Sequence, residues 1–285
     1  MSSHLATLLV ACPDRKGIVA TLAQVLYGHG ANIVDSDQHT DAVAGMFFQR
    51  IRFDLSTLTT DRVSLETGIR EVAERFAMEW RVAYGGRARR VAIFASKQTH
   101  CLYDLLIRYR AGELACDVAM VISNHAEAAP IASHFDVPFH HLPVAPDTKP
   151  QQETAAVALL EAAGIDLIVL ARYMQILSPE LVARYPARII NIHHSFLPAF
   201  VGAKPYHQAH ARGVKLIGAT AHYVTADLDQ GPIIEQDVIR VSHRMTAGEL
   251  VALGRDIERQ VLARAVRWHL EQRVIVHEGK TVVFV

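Results

Sequence analysis

The 285 residues carry 29 basic and 29 acidic side chains, a formal net charge of zero. That balance gives no global attraction to nucleic acid or to an anionic membrane surface, so a small-molecule partner is expected instead. The length exceeds what one hydrophobic core usually supports, which predicts two domains, and no apolar run approaches the roughly 20 residues that cross a bilayer.

The opening residues Met1-Ser2-Ser3-His4-Leu5-Ala6 lack the basic patch, apolar stretch and cleavage site of a secretory signal, and a cytoplasmic location is expected. Leu5 to Cys12 is a largely apolar run that reads as a strand ended by Pro13. Asp14-Arg15-Lys16-Gly17 then opens a helix with apolar positions at Ile18, Leu22, Val25 and Leu26, stopped by Gly28 and Gly30. Residues 31–39 and 45–54 read as an antiparallel strand pair, 65–76 as a second helix and 78–84 as a last strand. This βαββαβ order predicts a split βαβ, ferredoxin-like domain over 1–84. Gly85-Gly86-Arg87-Ala88-Arg89-Arg90 has no apolar periodicity and is expected to be a linker over 85–90.

From 91 to 285 apolar strands at 91–95, 117–122, 137–142, 167–171 and 188–192 alternate with helical stretches near 101–111, 125–134, 151–163 and 178–185. That alternation predicts a Rossmann-like α/β domain, doubly wound around a mostly parallel sheet. Two further strands, 216–224 and 232–238, bracket a turn holding Asp229-Gln230-Gly231-Pro232. A long amphipathic helix over 246–272 follows, with apolar residues at Leu250, Leu253, Ile257, Val261, Ala265 and Trp268. A small hairpin over 274–285 is expected to end this second domain. The three cysteines, Cys12, Cys101 and Cys116, form no Cys-x-x-Cys pair and are expected to be buried, inert thiols in a reducing compartment.

Chemistry concentrates where the 188–192 strand ends in Asn191-Ile192-His193-His194, because open α/β sheets bind ligands beyond the carboxyl ends of their strands. Asn-x-His followed by Asp-x-Gly-Pro resembles the formyltransferases and hydrolases that use 10-formyltetrahydrofolate. His193-His194, where the transferases usually carry His-Pro, and Gly202-Ala203-Lys204-Pro205-Tyr206 look most like the hydrolytic branch, the formyltetrahydrofolate deformylases. In the first region, Asp14-Arg15-Lys16-Gly17-Ile18-Val19 and Gly30-Ala31-Asn32-Ile33 resemble ACT domains, which often bind amino acids at subunit interfaces.

The resemblance implies release of formate from 10-formyltetrahydrofolate, for purine synthesis and the balance of one-carbon pools, with no cofactor and no metal. Asn191 and His193 would donate to the oxyanion, while Asp229 would orient His193 and the attacking water. It also implies folate contacts at Met174, Gln175, Ile176 and Leu177 and around Asp227, an amino-acid effector near Asp14, Gly17 and Asn32, and a homo-oligomer. The bland readings are that Asp229 merely forms a turn, that Met174, Ile176 and Leu177 are core, and that the paired histidines are ordinary members of a chain holding 16. His140, His141, His207 and His210 lack a metal motif such as His-Glu-x-x-His, and His207 and His210 are expected on a solvated helix face. Ser195 lacks the Gly-x-Ser-x-Gly elbow of a nucleophile.

Two other functions remain open in the sequence, formyl transfer to a small amine and amino-acid sensing by a folate-binding protein. Glycinamide ribonucleotide formyltransferase cradles its substrate phosphate in a Gly- and Asn-rich loop after the first strand. No glycine occurs between Val91 and Arg110 here, which favours water as acceptor.

Overall fold

A computed structural model describes residues 4–145, 147–198 and 205–285. Its amino-terminal unit follows the expected order: β1 (Leu5–Pro13), α1 (Ile18–Gly28), β2 (Asn32–Asp41), β3 (Met46–Asp54), α2 (Arg62–Phe76) and β4 (Glu79–Tyr84). The strands lie in the order β2-β3-β1-β4, each pair antiparallel. Alternate residues of β1 and β3, including Leu8, Val10, Phe47, Ile51 and Phe53, meet the apolar stripes of the two helices at Ile18, Leu22, Leu26, Leu65 and Ile69. Asp61 caps α2 by accepting from the Ser64 amide at 2.7 Å, which satisfies one of the amides a helix start leaves free.

The second unit contains β5 (Arg89–Ala95), α3 (His100–Arg110), β6 (Cys116–Ser123), α4 (Ala129–His134), β7 (Phe139–His141), α5 (Lys149–Ala162), β8 (Leu167–Ala171), α6 (Pro179–Arg184) and β9 (Ile189–His193). There follow α7 (Pro205–Ala211), β10 (Leu216–Tyr223), β11 (Ile233–Arg240) and α8 (Ala247–Leu270). Its sheet runs β11-β10-β9-β8-β5-β6-β7. From β7 to β9 every pair is parallel, and β10 and β11 add antiparallel. The chain winds outward from β5 first to β6 and β7 and then to β8 and β9, so the switch in direction falls between β5 and β8, where such sheets open a crevice. Among the described residues no helix is long and apolar enough to cross a membrane.

Two boundaries differ from expectation. Arg89 and Arg90 pair with β6 as part of β5, so the linker is 85–88 and not 85–90. The carboxyl-terminal hairpin, β12 (Val274–His277) with β13 (Lys280–Val283), does not end the second unit; Glu271–Val285 groups with the residues up to Ala88, and the second unit is Arg89–Leu270. The hairpin explains why β1 reads as continuously apolar. Leu9, Ala11 and Phe48 project from the sheet face away from the helices and are buried against Ile275 and Phe284, and a strand covered on both faces loses its polar alternation. Arg50, only 1% exposed, is held on that face by Asp35 at 2.7 Å and by the Gln272 carbonyl at 3.1 Å. Phe284→Ala should therefore cost the amino-terminal unit about 3–5 kcal/mol, read by denaturant unfolding; a loss under about 1 kcal/mol would show that the hairpin covers that face without stabilising it.

Candidate active site

Asn191 and His193 lie two apart on β9 and so share one face of the sheet. The antiparallel register sets His222 of β10 directly opposite Asn191. After β10 the chain turns through Asp229, which sits in the left-handed region at φ 56°, and returns to β11. The Tyr223 amide closes this turn on the Pro232 carbonyl at 2.9 Å. A Cβ at position 231 would overlap the Tyr223 carbonyl, so the glycine of Asp-x-Gly-Pro is required by close backbone approach.

These elements bring four polar side chains together. Asp229 Oδ2 lies 3.2 Å from His193 Nδ1 and Oδ1 lies 3.6 Å from His222 Nε2. His222 Nδ1–H donates to the Tyr223 carbonyl at 2.9 Å, an assignment that follows because a carbonyl only accepts. In the neutral ring Nε2 is then an acceptor for the Asn191 amide, 3.2 Å away, which fixes that amide and leaves its second N–H available. The hydrogen bond from His193 is the largest of the causes that hold the Asp229 carboxyl well below the usual carboxylate range, so it stays an anion and an acceptor. His193 is buried, and its Nε2 has no partner among the described residues.

The four side chains line a cavity of about 330 Å³. Met174, Ile176 and Leu228 on its wall are each more than half exposed, an arrangement suited to covering the faces of a flat ligand. The loop carrying Met174 is braced by α5: buried Gln152 donates to the Tyr173 hydroxyl at 3.0 Å, and Glu153 accepts from the Ser178 amide at 3.0 Å. Of the expected folate contacts, Met174, Gln175, Ile176 and Leu177 line the cavity, Leu177 also belonging to the core below it. Asp227 does not line it; its carbonyl accepts from the Thr225 hydroxyl and the Gln230 amide, as a turn residue's does. His222 is the residue that sequence reasoning left without a role. It heads the segment leading to Asp229, but its place across from Asn191 depends on strand register.

The expected effector residues do not form one site within the chain. Asp14 and Gly17 follow the end of β1 that pairs with Met46, whereas Asn32 pairs with Asp54 beside Leu5 at the other end. Nine residues of strand separate these ends by about 25 Å.

The other histidines do not converge on His193. His140 and His141 lie on edge strand β7, and His207 and His210 are exposed on α7. The grouping among the described residues with metal-ligand spacing is His100, Cys101 and Glu258; Arg172 within 3.4 Å of Glu258 already supplies a positive charge there. Cys12 and Cys101 are buried as expected, while Cys116 is only half-buried, its thiol pushed up to about 12 by burial and Asp117.

His194 has a testable electrostatic consequence. Burial, then Arg172 and His193, lower its pKa to about 4 from an ordinary value near 6.5. The unfolded chain takes up a proton below about pH 6.5 that the folded ring refuses until about pH 4. Stability is thus full above this window and falls through it by up to about 3 kcal/mol. Denaturant unfolding of His194→Asn should remove much of that slope; an unchanged slope would contradict the assignment.

Residues 89–266 match the formyl transferase family model, and residues 6–76 match the ACT domain model. Fold and site thus define a formyl transferase domain joined to an ACT domain. Over 278 residues the chain is 54% identical to formyltetrahydrofolate deformylase of Bacillus subtilis, covering 97% of this chain and 93% of that protein. It is 52% identical over 284 residues to the deformylase of Synechocystis, covering all of both. The crystal structure of the Pseudomonas syringae deformylase superposes with a TM-score of 0.96 at 49% identity, covering 100% of this chain and 96% of that one. The chain belongs to the formyltetrahydrofolate deformylase family.

Proposed function

We propose that the protein hydrolyses 10-formyltetrahydrofolate to formate and tetrahydrofolate. The observation that carries the reading is the Asn191, His193, Asp229 and His222 group lining a cavity that is also walled by exposed apolar side chains. No serine or cysteine is among the described residues lining that cavity, and water serves as nucleophile. Attack on the formyl carbon places negative charge on the formyl oxygen, where the free N–H of Asn191 and His193 Nε2–H, in the protonated ring, donate. Asp229 holds His193 through Nδ1 and accepts from the attacking water with its remaining lone pairs. The bond to N10 breaks, one water proton ends on N10, and the other leaves with formic acid as it ionises.

Substrate, cavity and site require no cofactor in this scheme. Formate released in this way would feed purine synthesis and rebalance one-carbon pools in the cytoplasm. The ACT domain is the element for an amino-acid effector, and the separation of Asn32 from Asp14 and Gly17 favours a ligand shared between chains of a homo-oligomer. Rates that are equal with every amino acid tested would remove that regulatory part. For the activity itself, the protein is incubated with 10-formyltetrahydrofolate and no amine. Formate and tetrahydrofolate appearing one to one support hydrolysis, and absence of turnover refutes it.

A further inference from the structure

The cavity that His193 and His194 line is also lined by Arg172, one member of an ionic cluster that hydrolysis by the four site residues does not use. Arg172, at the carboxyl end of β8, lines the same cavity as Asn191, His193 and Asp229. Its Nε lies 3.4 Å from Glu258 Oε2, and the two side chains are 12% and 1% exposed. Glu258, on α8, also takes His100 Nε2 at 2.7 Å and the Tyr206 hydroxyl at 2.8 Å. The Tyr206 ring meets His194 edge-on, and His194 meets His193 likewise. Glu258 and its partners thus contact Arg172 and His194, two of the residues that line the cavity beside His193.

Two backbone features indicate that the cluster is retained at a cost. Arg172 adopts φ 62°, where a non-glycine residue is strained and a glycine would not be. Gly254 lies one turn before Glu258 in the interior of α8, where glycine disfavours the helix by about 1 kcal/mol. A Cβ there would overlap the Tyr206 ring, so this glycine is what lets Tyr206 lie on α8 and reach Glu258. An ordinary stabilising ion pair would call for neither feature. Opening the wall in the native protein would also leave the buried Glu258 charge short of a partner, which is strongly unfavourable.

We propose that Arg172, paired with a Glu258 that His100 and Tyr206 hold in place, determines acceptor specificity: it fills the approach an amine would need and leaves room for water alone. The inference rests on the hydrolytic reading above. In the excluded reaction the amine nitrogen bonds to the formyl carbon, the bond to N10 breaks, and an amine proton passes to N10, giving a formamide and tetrahydrofolate. When water takes the place of the amine, its oxygen bonds to the formyl carbon, the bond to N10 breaks, a water proton passes to N10 and the product is formate.

The test measures the partition of the formyl group between formate and N-formylglycinamide, with glycinamide as the probe, an α-amine roughly half unprotonated near pH 8. Wild type is compared with Arg172→Gly, which relieves the backbone, and with Arg172→Gly/Glu258→Gln, which removes the uncompensated charge if the single variant fails to fold. The expected result is almost pure formate from wild type and at least a tenfold larger formamide fraction from a variant, above an enzyme-free blank. A merely structural role would lower turnover without moving this ratio. Folded variants that still yield only formate, or a wild type that formylates glycinamide as readily, would overturn the inference. Failure of wild type to turn over 10-formyltetrahydrofolate without amine would instead refute the hydrolytic reading.

Discussion

Asp229→Asn should lower kcat for formate release by about 10⁴-fold, the scale seen when a carboxylate that orients a histidine becomes an amide. The substitution is nearly isosteric, so the left-handed turn and its closure by Gly231 should persist. What changes is the partner of His193. A carboxylate only accepts and keeps the proton on Nδ1, whereas an amide can present N–H to Nδ1 and select the other tautomer. The amide also loses the negative charge that stabilises a protonated His193 at 3.2 Å and weakens the hold on the attacking water. Folate affinity should change little, because Met174, Ile176 and Leu228 supply the apolar walls. Formate release under saturating substrate, together with equilibrium binding of tetrahydrofolate, separates these effects; turnover within tenfold of wild type would remove Asp229 from the mechanism.

Asn191→Ala should cost about 10²–10³ in kcat, the usual penalty for deleting one oxyanion donor. KM should move far less, since the formyl oxygen makes its strongest demand on the amide only as charge develops. The same change removes the donor to His222 Nε2 at 3.2 Å, freeing that ring to turn toward Asp229. His222→Ala therefore provides the matching control. If His222 acts by fixing the amide, the double variant should lose little more than Asn191→Ala alone, whereas multiplicative losses would mean that His222 acts independently. An Asn191→Ala enzyme with raised KM and unchanged kcat would instead place this amide in ground-state binding.

The sequence by itself determined the order of the elements along the chain and the parallel character of the larger sheet, while Asn191, His193 and Asp229 stood out as candidates through the resemblance of their motifs to a known family. The elements depend on local information: apolar periodicity, helix stops and turn residues such as the Gly-Pro pair. The long apolar run of β1 was equally visible, but its cause was not, because the covering residues Ile275 and Phe284 return from the far end of the chain.

Only the tertiary structure decided what depends on register and long-range pairing. His222 enters the site because β10 is antiparallel to β9 in one particular register, and a slip of one residue would turn it to the other face. Asp227 leaves the cavity wall because its carbonyl is taken up within the turn. Asp14 and Asn32 part company because α1 carries the chain back along the sheet before β2 begins. Arg172 meets Glu258 only when β8 and α8 are packed into one unit. Local sequence sets torsions and faces, whereas the meeting of distant side chains is set by the closure of the whole sheet and the burial that forces each charge to find a partner.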